Sequence, residues 1–426
     1  MKEKILRQIE KIIPAKVYNF FQPAYHYLMS LLGAVIYRFP SRKLIVVGIT
    51  GTKGKSSTTE ILNAILEEAG FKTAVQNTVR FKIDQNSEDN KFKMSMPGRF
   101  FMQKFLRRAV KAGCQYAVLE TTSQGAQFSR HRFINFDGLI VTNISPEHIE
   151  AHGSFEKYKD AKLSIGRSVA KSKKKRKVLV VNGDDKELAP FLALNIAEKI
   201  KFSVKDAEPY ELRLHDTDIT IDKTLITSHL SGLFSIYNML AAITYAKSQS
   251  IGVSVIKSAL ERFKGIRGRV ESVKISDKQQ FEVIVDYAHT ADSLEKLYQV
   301  FQDSRKICVL GNTGGGRDRW KRPAMGKVAD QYCDEIILTN EDPYDEDPRA
   351  IVEEMTKGIA DGQYKIIMDR REAIREALKL AQTGDTVLIT GKGTDPCICG
   401  ANNTKIPWDD ATVVREELEK LVVSSG

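Results

Sequence analysis

The pattern of apolar and polar positions changes its period near Gly51, and this change predicts the unit around which the chain is organised. Residues 44–49 are β-branched and aliphatic, which is typical of a buried strand. A glycine-rich turn follows. Beyond it, apolar residues recur with the spacing of an amphipathic helix, at Ile61, Leu62, Ile65 and Leu66. The stretch therefore predicts a strand, a loop and a helix in succession.

Further strands and helices alternate after this unit. Apolar runs predict strands at residues 116–119, 138–142 and 178–181. Residues 80–93 are polar and charged and predict a surface excursion or a hairpin, and residues 96–113 predict a loop followed by a helix. The buried face of that helix is expected to hold Phe101, Phe105 and Val110. Strands that alternate with helices at this spacing predict a parallel, doubly wound sheet.

A second series of strands follows a change in composition. Residues 210–226 read as short alternating segments, and a helix is predicted over residues 234–248. The segment KGIRGRVE, with Gly265 and Arg269, reads as a hinge. Strands are then predicted at residues 282–286, 307–310, 335–339 and 386–390. These strands also alternate with helical stretches, so they predict a second α/β unit.

Residues 1–40 begin with a basic helix-like segment and continue as an apolar stretch that is repeatedly interrupted. The interruptions are Gln22, Pro23, His26, Ser30 and Arg38, so no uninterrupted run of about 18 apolar residues is available to cross a bilayer. Two interpretations remain open. The segment packs as helices on the next domain, or residues 17–40 lie on a membrane surface as an interfacial helix.

Length and charge narrow the function classes. A chain of 426 residues has room for two or three domains, and a formal charge of +11 suits an anionic substrate. Nucleic acid is not expected as a partner, because part of the excess charge lies in one solvated run at residues 171–177. The five cysteines do not form paired metal spacings, and no cleavable signal is apparent. Both features indicate a reducing, cytoplasmic location.

The glycine-rich turn has the chemistry of a phosphate cradle. Gly48, Gly51 and Gly54 allow backbone amides to point inward, and the following helix adds positive potential at its N-terminus. The expected nucleotide-binding residues in this turn are Gly51, Thr52, Gly54, Lys55, Ser56 and Ser57. Lys55 would reach the β- and γ-phosphates of ATP, and the Ser56 hydroxyl would ligate Mg²⁺. The usual spacing is not kept, because Ile49 stands where the pattern has its first glycine.

The fold class is therefore α/β. It comprises a P-loop-containing central domain with a parallel sheet and a C-terminal Rossmann-like α/β domain. The predicted borders are residues 1–40 for the short helical N-terminal segment, 41–264 for the central ATPase domain and 265–426 for the C-terminal domain.

Acidic and imidazole groups follow two of the central strands. Glu120 ends one predicted strand and His148 follows another, at the edge where an open α/β sheet places its ligands. Glu120 with Ser56 makes a reasonable Mg²⁺ site, because magnesium is usually held by a carboxylate together with substrate phosphates. Taken alone, His148 is more typical of a structural polar residue, and Lys162 of a surface lysine.

Ten segments, in this order, resemble those of the Mur ligases, most closely the MurE type that adds the third amino acid to the peptidoglycan stem peptide. They are GITGTKGKSS, LETTSQGAQFSRHRF, TNISPEHIEAHGSFEKYKDAKL, FSIYNMLAAI, GRVE, VDYAHTADSLEKL, GGGRDRWKRPAMG, EDPYDEDPRAI, DRREAI and GKGTD. The resemblance covers roughly residues 41–421.

The resemblance implies a reaction. ATP phosphorylates a substrate carboxylate to an acyl phosphate, an amine attacks, and the tetrahedral intermediate collapses to amide and phosphate. It implies that Lys55 is catalytic and holds phosphates, that Ser56 and Glu120 bind one Mg²⁺, and that His148 binds a second. Lys162 matches a lysine that CO₂ converts to a carbamate, which adds a carboxylate-like metal ligand; the catalytic residues are thus Lys55, Lys162 and His148.

The same resemblance implies further contacts. Asn238 would contact adenine, and Asp286 and His289 would meet the nucleotide when the C-terminal domain closes. The substrate-binding residues implied are Arg269, Arg317, Asp342, Tyr344, Gly391 and Asp395. Arg317 would pair with an α-carboxylate and Asp395 with an ammonium group. The partners implied are an anionic acyl substrate, most simply a peptidoglycan precursor, and an amino acid.

Three departures limit the transfer. Only about 43 residues precede the nucleotide strand, so we expect no N-terminal domain that anchors a UDP group. The family motif DNPR reads EDPY here, so Tyr344 replaces the arginine that pairs with diaminopimelate, and a different added amino acid is expected. The motif GKGHE reads GKGTD, ending at Asp395. A folate-type polyglutamate ligase or related carboxylate–amine ligase, and a non-catalytic nucleotide-binding scaffold, remain as alternatives.

Overall fold

The computed structural model describes residues 15–360 and 363–424, with side chains described over 21–360 and 363–421. The described residues form two compact units. The first holds the residues up to Ser145 together with Glu156–Phe202 and Ala241–Ile251. The second holds Pro146–Phe155, Ser203–Leu240 and the described residues from Gly252 onward.

The strands and helices are numbered in chain order. The strands are β1 (Ile45–Thr50), β2 (Thr73–Gln76), β3 (Arg80–Ile83), β4 (Asn86–Asp89), β5 (Tyr116–Glu120), β6 (Gly138–Val141), β7 (Val178–Asn182), β8 (Glu198–Phe202), β9 (Glu211–Leu212), β10 (Thr217–Ile221), β11 (Thr224–Ser228), β12 (Glu271–Ser272), β13 (Glu282–Asp286), β14 (Lys306–Leu310), β15 (Glu335–Leu338), β16 (Tyr364–Ile366), β17 (Thr386–Thr390), β18 (Cys397–Cys399) and β19 (Lys405–Pro407). The helices are α1 (Ala15–Ile36), α2 (Lys55–Glu68), α3 (Arg99–Lys111), α4 (Ser123–Gln127), α5 (Ile149–His152), α6 (Phe155–Ala170), α7 (Ala189–Leu192), α8 (Leu233–Ser248), α9 (Val253–Arg262), α10 (Ala291–Val300), α11 (Lys321–Tyr332), α12 (Pro348–Thr356), α13 (Arg370–Leu380) and α14 (Asp410–Ser424).

An eight-stranded sheet organises the first unit. Its strand order is β4-β3-β2-β5-β1-β6-β7-β8. The strands from β2 to β8 in this order are parallel, whereas β3 and β4 add an antiparallel hairpin at one edge. Strand β1 lies near the centre, so the loop that follows it emerges at the carboxyl edge where an open sheet binds ligands. The predicted parallel sheet and the predicted hairpin are both confirmed.

The helices bury the faces predicted from the spacing of their apolar residues, with one difference in α3. In α2, the predicted apolar residues Ile61, Leu62, Ile65 and Leu66 are fully buried. In α3, the buried apolar residues are Met102, Phe105, Leu106 and Ala109. Of the three residues predicted on one face of this helix, Phe105 is buried, whereas Phe101 and Val110 lie at the margins of the buried face and are half-buried.

A six-stranded sheet organises the second unit. Its order is β12-β13-β17-β14-β15-β16, and all of its pairs are parallel except the one between β12 and β13. Helices α13 and α14 contribute to the apolar core on one face, and α10, α11 and α12 to the core on the other. A small antiparallel sheet, β11-β10-β9, and the pair β18-β19 complete the unit. The second α/β unit is thereby confirmed.

A buried ion pair ties α13 to α14. The Arg370 guanidinium donates to both carboxylate oxygens of Asp410, at 2.9 and 2.8 Å, and both side chains are fully buried. Arg370 also donates to the Thr390 carbonyl at 2.8 Å. Removing either partner of such a pair leaves an uncompensated charge in the core, at a cost of about 3–5 kcal/mol.

One pairing was missed by the sequence analysis. Cys308 of β14 and Cys333 after α11 form a disulfide, with an S–S distance of 2.15 Å. The sequence analysis took the cysteines to indicate a reducing location and predicted no disulfide, so this pair was not foreseen.

The N-terminal helix is a single element where it is described. Residues 1–14 of the predicted N-terminal segment lie outside the described residues, and α1 occupies most of the remainder. Over the part of the chain that the structure covers, no helix is both long and apolar enough to cross a bilayer.

Candidate active site

The glycine-rich turn between β1 and α2 forms a tight loop held from below by the end of β6. Thr52 N donates to the Asn143 carbonyl and Lys53 N to Asn143 Oδ1, both at 2.8 Å. The Thr142 hydroxyl donates to the Lys53 carbonyl at 2.7 Å. A Cβ at Gly51 would lie 1.9 Å from that hydroxyl oxygen, so only glycine fits there. The loop is therefore preformed and does not need a ligand to acquire its shape.

The first turn of α2 carries the two side chains that the phosphate-loop pattern selects. Gly54 adopts a left-handed conformation, with φ of 78°, directly before the helix begins at Lys55. The Lys55 ammonium donates to the Thr52 carbonyl at 2.8 Å, which folds the side chain back over the loop. Ser56 points to the end of β5, where its hydroxyl donates to Glu120 Oε2 at 2.7 Å.

Glu120 is a buried carboxylate surrounded by donors. Besides Ser56, it accepts hydrogen bonds from Thr78 N and Thr78 Oγ1, both at 3.0 Å, and from Ser95 Oγ at 2.7 Å. Burial alone would raise the pKa of this carboxyl, but the Lys55 charge and the hydrogen bonds from Ser95, Ser56 and Thr78 outweigh it. The pKa of Glu120 is therefore below its ordinary value, and the group is a carboxylate at neutral pH.

Lys162, on α6, reaches the same loop from another side. Its ammonium is buried and donates to the Gly51 carbonyl at 2.6 Å. It also lies 4.6 Å from the centre of the Tyr158 ring, whose hydroxyl is hydrogen-bonded to Thr52 Oγ1 at 2.9 Å. Lys162 is therefore buried and is not the surface lysine that the sequence alone suggested.

In the second unit, the segment that carries His148 meets the loop after β14. Asp318 accepts hydrogen bonds from His148 N at 2.8 Å and from Glu150 N at 3.1 Å. Glu147 lies 3.3 Å from His289 Nε2. Asp318 therefore fixes the backbone at His148 and leaves the imidazole to other partners.

A buried charge cluster joins β17 to the loop after β15. The Lys392 ammonium lies 2.9 Å from both carboxylate oxygens of Asp342 and donates to the Cys397 carbonyl at 2.7 Å. Asp342 also accepts from Cys399 N at 2.7 Å, and Asp395 lies 3.5 Å from Lys392. Lys392 is fully buried, so its charge is neutralised inside the cluster.

Tyr344 and Gly391 lie beside this cluster. Tyr344 has a positive φ of 52° and its amide donates to the Cys399 carbonyl at 3.0 Å. A Cβ at Gly315 would lie 2.7 Å from the Tyr344 ring, so the ring packs directly on that backbone. A Cβ at Gly391 would lie 2.4 Å from the Glu341 carboxylate. The close approach of these side chains to the backbone thus explains why glycine stands at Gly315 and Gly391.

The GRVE segment packs on the loop after β17. The Arg269 guanidinium stacks 4.4 Å from the centre of the Tyr287 ring, and a Cβ at Gly268 would lie 2.6 Å from Thr394 N. Asp286, which ends β13, accepts from Val270 N at 2.8 Å and from Ala288 N at 2.6 Å. Burial raises the pKa of Asp286 although Arg269 and these hydrogen bonds oppose the change.

Comparison with protein families gives two matches. The Mur ligase middle domain matches residues 49–246, and the Mur ligase glutamate ligase domain matches residues 268–393. The chain belongs to the Mur ligase family. The resemblance seen in the sequence is thereby confirmed.

Individual relatives place the chain among Mur ligases of the MurE type. The UDP-N-acetylmuramoyl-L-alanyl-D-glutamate--2,6-diaminopimelate ligase of Syntrophomonas wolfei is 37% identical over 383 residues, covering 86% of this chain and 76% of the relative. The UDP-N-acetylmuramyl-tripeptide synthetase of Roseiflexus sp. is 36% identical over 423 residues, covering 92% and 82%. A solved diaminopimelate ligase structure superposes with a TM-score of 0.60 at 25% identity, over 89% of this chain and 79% of that one.

More distant structures share the fold. The MurF ligase of Thermotoga maritima, solved in complex with ADP, has a TM-score of 0.67 at 17% identity, over 93% of this chain and 85% of that one. The folylpolyglutamate synthase of Mycobacterium tuberculosis also has a TM-score of 0.67, at 15% identity, over 87% and 92%. The predicted α/β fold class of a Mur ligase is confirmed.

The Mur ligase structure brings the predicted residues together in two sets. Around the phosphate loop, Gly51, Thr52, Lys55, Ser56, Glu120 and Lys162 are joined by the contacts described above. In the second unit, Asp342, Gly391, Asp395 and Tyr344 lie around Lys392, whereas Asp286 and Arg269 lie at the GRVE segment. Among the other predicted residues, Asn238 is buried within α8, Ser57 lies in the first turn of α2 and Arg317 is exposed.

Four residues at these sites were missed by the sequence analysis. Thr78 and Ser95 bond Glu120, Asp318 fixes the backbone at His148, and Lys392 pairs with Asp342. Thr78 follows β2, the neighbour of β5, so the rule that ligands gather at carboxyl strand ends could have found it. Ser95 and Asp318 lie in irregular loops, where periodicity carries no signal.

Proposed function

We propose that this Mur ligase activates a substrate carboxylate as an acyl phosphate with ATP and joins it to an amino acid, releasing ADP and phosphate. The observation that carries the proposal is the convergence of Lys55, Ser56, Glu120 and Lys162 on one preformed loop. A protein that only bound a nucleotide would not require the buried carboxylate and the buried lysine in addition to the loop.

The donor set fits Mg²⁺. Ser56 offers a hydroxyl and Glu120 a carboxylate whose low pKa keeps it charged, and magnesium favours such oxygen ligands together with substrate phosphates. We assign these two residues to one Mg²⁺, and we propose His148 and Lys162 as further metal ligands. When bound, the ions would offset the repulsion between the carboxylate and the γ-phosphate. Lys55 and the loop amides would hold the phosphates.

Lys162 is proposed to work as a carbamate. Its neutral amine would add to the carbon of CO₂, so that a nitrogen–carbon bond forms as one C–O π bond opens, and the nitrogen would release a proton to solvent, which leaves the side chain as an anion. The observation behind this proposal is the position of Lys162, whose side-chain nitrogen is buried beside the phosphate loop, 2.6 Å from the Gly51 carbonyl oxygen. The carbamate oxygens would then serve as metal ligands in place of the ammonium group.

We also propose roles for the second group of residues. Asn238, Asp286 and His289 are assigned to the nucleotide, and Arg269, Arg317, Asp342, Tyr344, Gly391 and Asp395 to the substrates. Residues 41–264 and 265–426 are assigned as the ATPase and C-terminal domains, which the family matches at 49–246 and 268–393 support. The proposed location is the cytoplasm, where ATP is available.

The acyl substrate is proposed to be a muramoyl-L-alanyl-D-glutamate precursor of peptidoglycan. The names of the relatives that are 36–37% identical support this class. A folate-type substrate has weaker support, because the folylpolyglutamate synthase shares only the fold at 15% identity.

The amino acid is proposed to lack the distal carboxylate of diaminopimelate. Tyr344 cannot replace a guanidinium, and the basic residues that could substitute are already engaged. Lys392 is paired with Asp342, Arg319 with Glu354 and Arg349 with Glu353. Lysine or ornithine therefore suits the site, with Arg317 on the α-carboxylate and Asp395 on an ammonium group.

The test is ADP formation that depends on both substrates. Purified protein is given ATP, Mg²⁺, UDP-linked muramoyl-L-alanyl-D-glutamate and single amino acids, and ADP and the amide product are measured. Turnover should require acyl substrate and amine together and fall at least about a hundredfold in Lys55→Ala, because a charge-assisted phosphate contact is lost. Exposed Lys186→Ala is the control. ATP binding without turnover for any acyl–amine pair would instead favour the scaffold.

A further inference from the structure

In helix α1, small and polar residues face inward and apolar residues face outward. Its inward face carries small and polar residues, namely His26, Ser30, Gly33 and Ala34, all of which are buried. Its outward face carries apolar side chains that are between 44% and 61% exposed, namely Phe21, Tyr25, Leu28, Leu32, Val35 and Ile36. A surface helix of a globular protein normally shows the opposite arrangement.

The inward face is held by specific contacts, so the orientation of the helix is fixed. The Ser30 hydroxyl donates to the Ser129 carbonyl at 2.8 Å, and His26 is hydrogen-bonded to Arg99. Gly33 lies directly against α3, since a Cβ there would be in ordinary contact with that helix, 3.6 Å from the Arg99 carbonyl oxygen. Burial, with the charges of Arg99 and Arg130, lowers the pKa of His26 to about 4, so the imidazole is neutral in this contact.

The exposed apolar face is broad. At about 100° per residue, the six side chains of this face, from Val35 round to Ile36, cover roughly 100° of the helix circumference. A coiled-coil seam is narrower, since it uses two positions in each heptad. The residues from 17 to 37 include no Asp, Glu, Lys or Arg, so nothing charged interrupts the face.

The charges that directly follow this helix in the sequence, and those on α3, are all positive. The sequence contains no Asp or Glu between residues 11 and 59. Arg38, Arg42 and Lys43 follow the helix directly and are exposed. Helix α3, which packs along α1, contributes further basic residues and no acidic one, with Lys104 and Arg108 exposed.

We infer that α1 is a membrane-docking helix that lies in the interface of an anionic lipid bilayer. Its broad apolar face enters the acyl region, and the basic residues at its end and on α3 meet the lipid phosphates. The positive surroundings favour an anionic lipid surface over a second copy of this chain, because two such copies would repel each other.

The experiment measures vesicle flotation of the full-length protein. Vesicles of phosphatidylglycerol and phosphatidylethanolamine are compared with vesicles of phosphatidylcholine alone, with no ATP or substrate present. The wild type should float with the anionic vesicles and do so less at high salt. Leu28→Ser/Leu32→Ser should lower the partition coefficient at least about tenfold, because two apolar side chains that would enter the acyl region are lost. Arg42→Ser/Lys43→Ser should lower it about tenfold.

The matched control replaces exposed apolar residues elsewhere. Leu225→Ser/Ile406→Ser removes side chains that are 54% and 60% exposed, and it should leave flotation unchanged. Equal flotation of wild type and Leu28→Ser/Leu32→Ser would overturn the inference. The inference would also be overturned if the wild type did not bind anionic vesicles but was a dimer by light scattering, and Leu28→Ser/Leu32→Ser was a monomer. That result would favour a second copy of the chain as the partner of this face.

Ligase turnover with soluble substrates is measured on the same variants and should be unchanged. The outcome therefore separates this inference from the proposed function, because vesicle binding is assayed without substrates. Absence of turnover would leave the flotation result standing, and absence of flotation would leave the ligase assignment standing.

Discussion

Ser56 and Glu120 are joined by a 2.7 Å hydrogen bond that spans 64 residues of sequence. The contact joins the first turn of α2 to the end of β5, the strand of the first sheet against which this helix packs. It positions a hydroxyl and a carboxylate before any ligand arrives, which reduces the reorganisation needed to bind a cation. Most of the predictions below test this loop and the groups that surround it.

The buried Glu120 carboxylate should make stability depend on pH. Because its pKa is lowered in the folded state, its contribution is fully present above the ordinary value of about 4.3 and is lost as the pH falls through the folded-state pKa. Glu120→Gln should cost about 3 kcal/mol of unfolding free energy at neutral pH, since its donors lose a charged acceptor.

Denaturant unfolding measured from pH 7 downward checks this. The difference between wild type and Glu120→Gln should narrow once the pH falls below about 4. Exposed Glu88→Gln serves as the control and should follow the wild type throughout. A difference that stays constant over the whole range would contradict a lowered pKa.

Gly51→Ala should disrupt the phosphate loop. The added Cβ would lie 1.9 Å from Thr142 Oγ1, and the φ of 153° is one that side chains rarely adopt. We expect a loss of several kcal/mol in stability or, if the loop shifts to relieve the contact, at least a tenfold loss of ATP affinity. Thermal unfolding measures the change in stability, and nucleotide titration measures the change in ATP affinity. Gly98→Ala, where nothing lies within 4 Å, should cost no more than about 1 kcal/mol, and equal effects at both glycines would refute the argument.

Lys162→Ala should abolish turnover and regain part of it when short carboxylates such as formate or acetate are added. The reason is that a carboxylate can occupy the space of the lost carbamate and supply the same oxygen ligands. Steady-state ADP formation with and without the additive measures this. Exposed Lys157→Ala, on the same helix, should behave as wild type. Full activity of Lys162→Ala in bicarbonate-free buffer would show that no carbamate is needed.

Tyr344 should set the choice of amino acid. In competition between equimolar diaminopimelate, lysine and ornithine, we expect lysine or ornithine in the product, identified by mass spectrometry. A buried carboxylate without its cationic partner costs about 2–5 kcal/mol, so the preference should be tenfold or more. Tyr344→Arg should move the preference toward diaminopimelate and Tyr344→Phe should not. A dominant diaminopimelate product from the wild type would overturn this role for Tyr344.

The sheet and the phosphate loop could be predicted from the sequence because both follow from short-range patterns. The apolar run of β1, the glycines and the period of α2 lie within 25 consecutive residues, and each constrains its own local structure. The role of Glu120 could be predicted in part, since a carboxylate at the end of a parallel strand lies at the ligand edge.

The remaining contacts depend on distant parts of the chain. Nothing near Ser95 or Asp318 indicates that these side chains meet Glu120 and the backbone of His148, because loop paths have no period. The reversed polarity of α1 was also hidden, since an apolar helix with scattered polar residues reads the same whichever face packs inward. The Cys308–Cys333 pair was missed because only the alignment of β14 with the end of α11 brings the two together.

The ion pair between Arg370 and Asp410 also imposes an order on the synthesis of the chain. Until α14 has been made, the Arg370 guanidinium lacks its carboxylate and stays hydrated, so the apolar core that it borders cannot close. The eight strands of the first sheet, in contrast, are all present once Phe202 has been added. A nascent chain therefore carries all strands of the first sheet, with only Ala241–Ile251 still to be added to that unit, for some time before α14 completes the second unit.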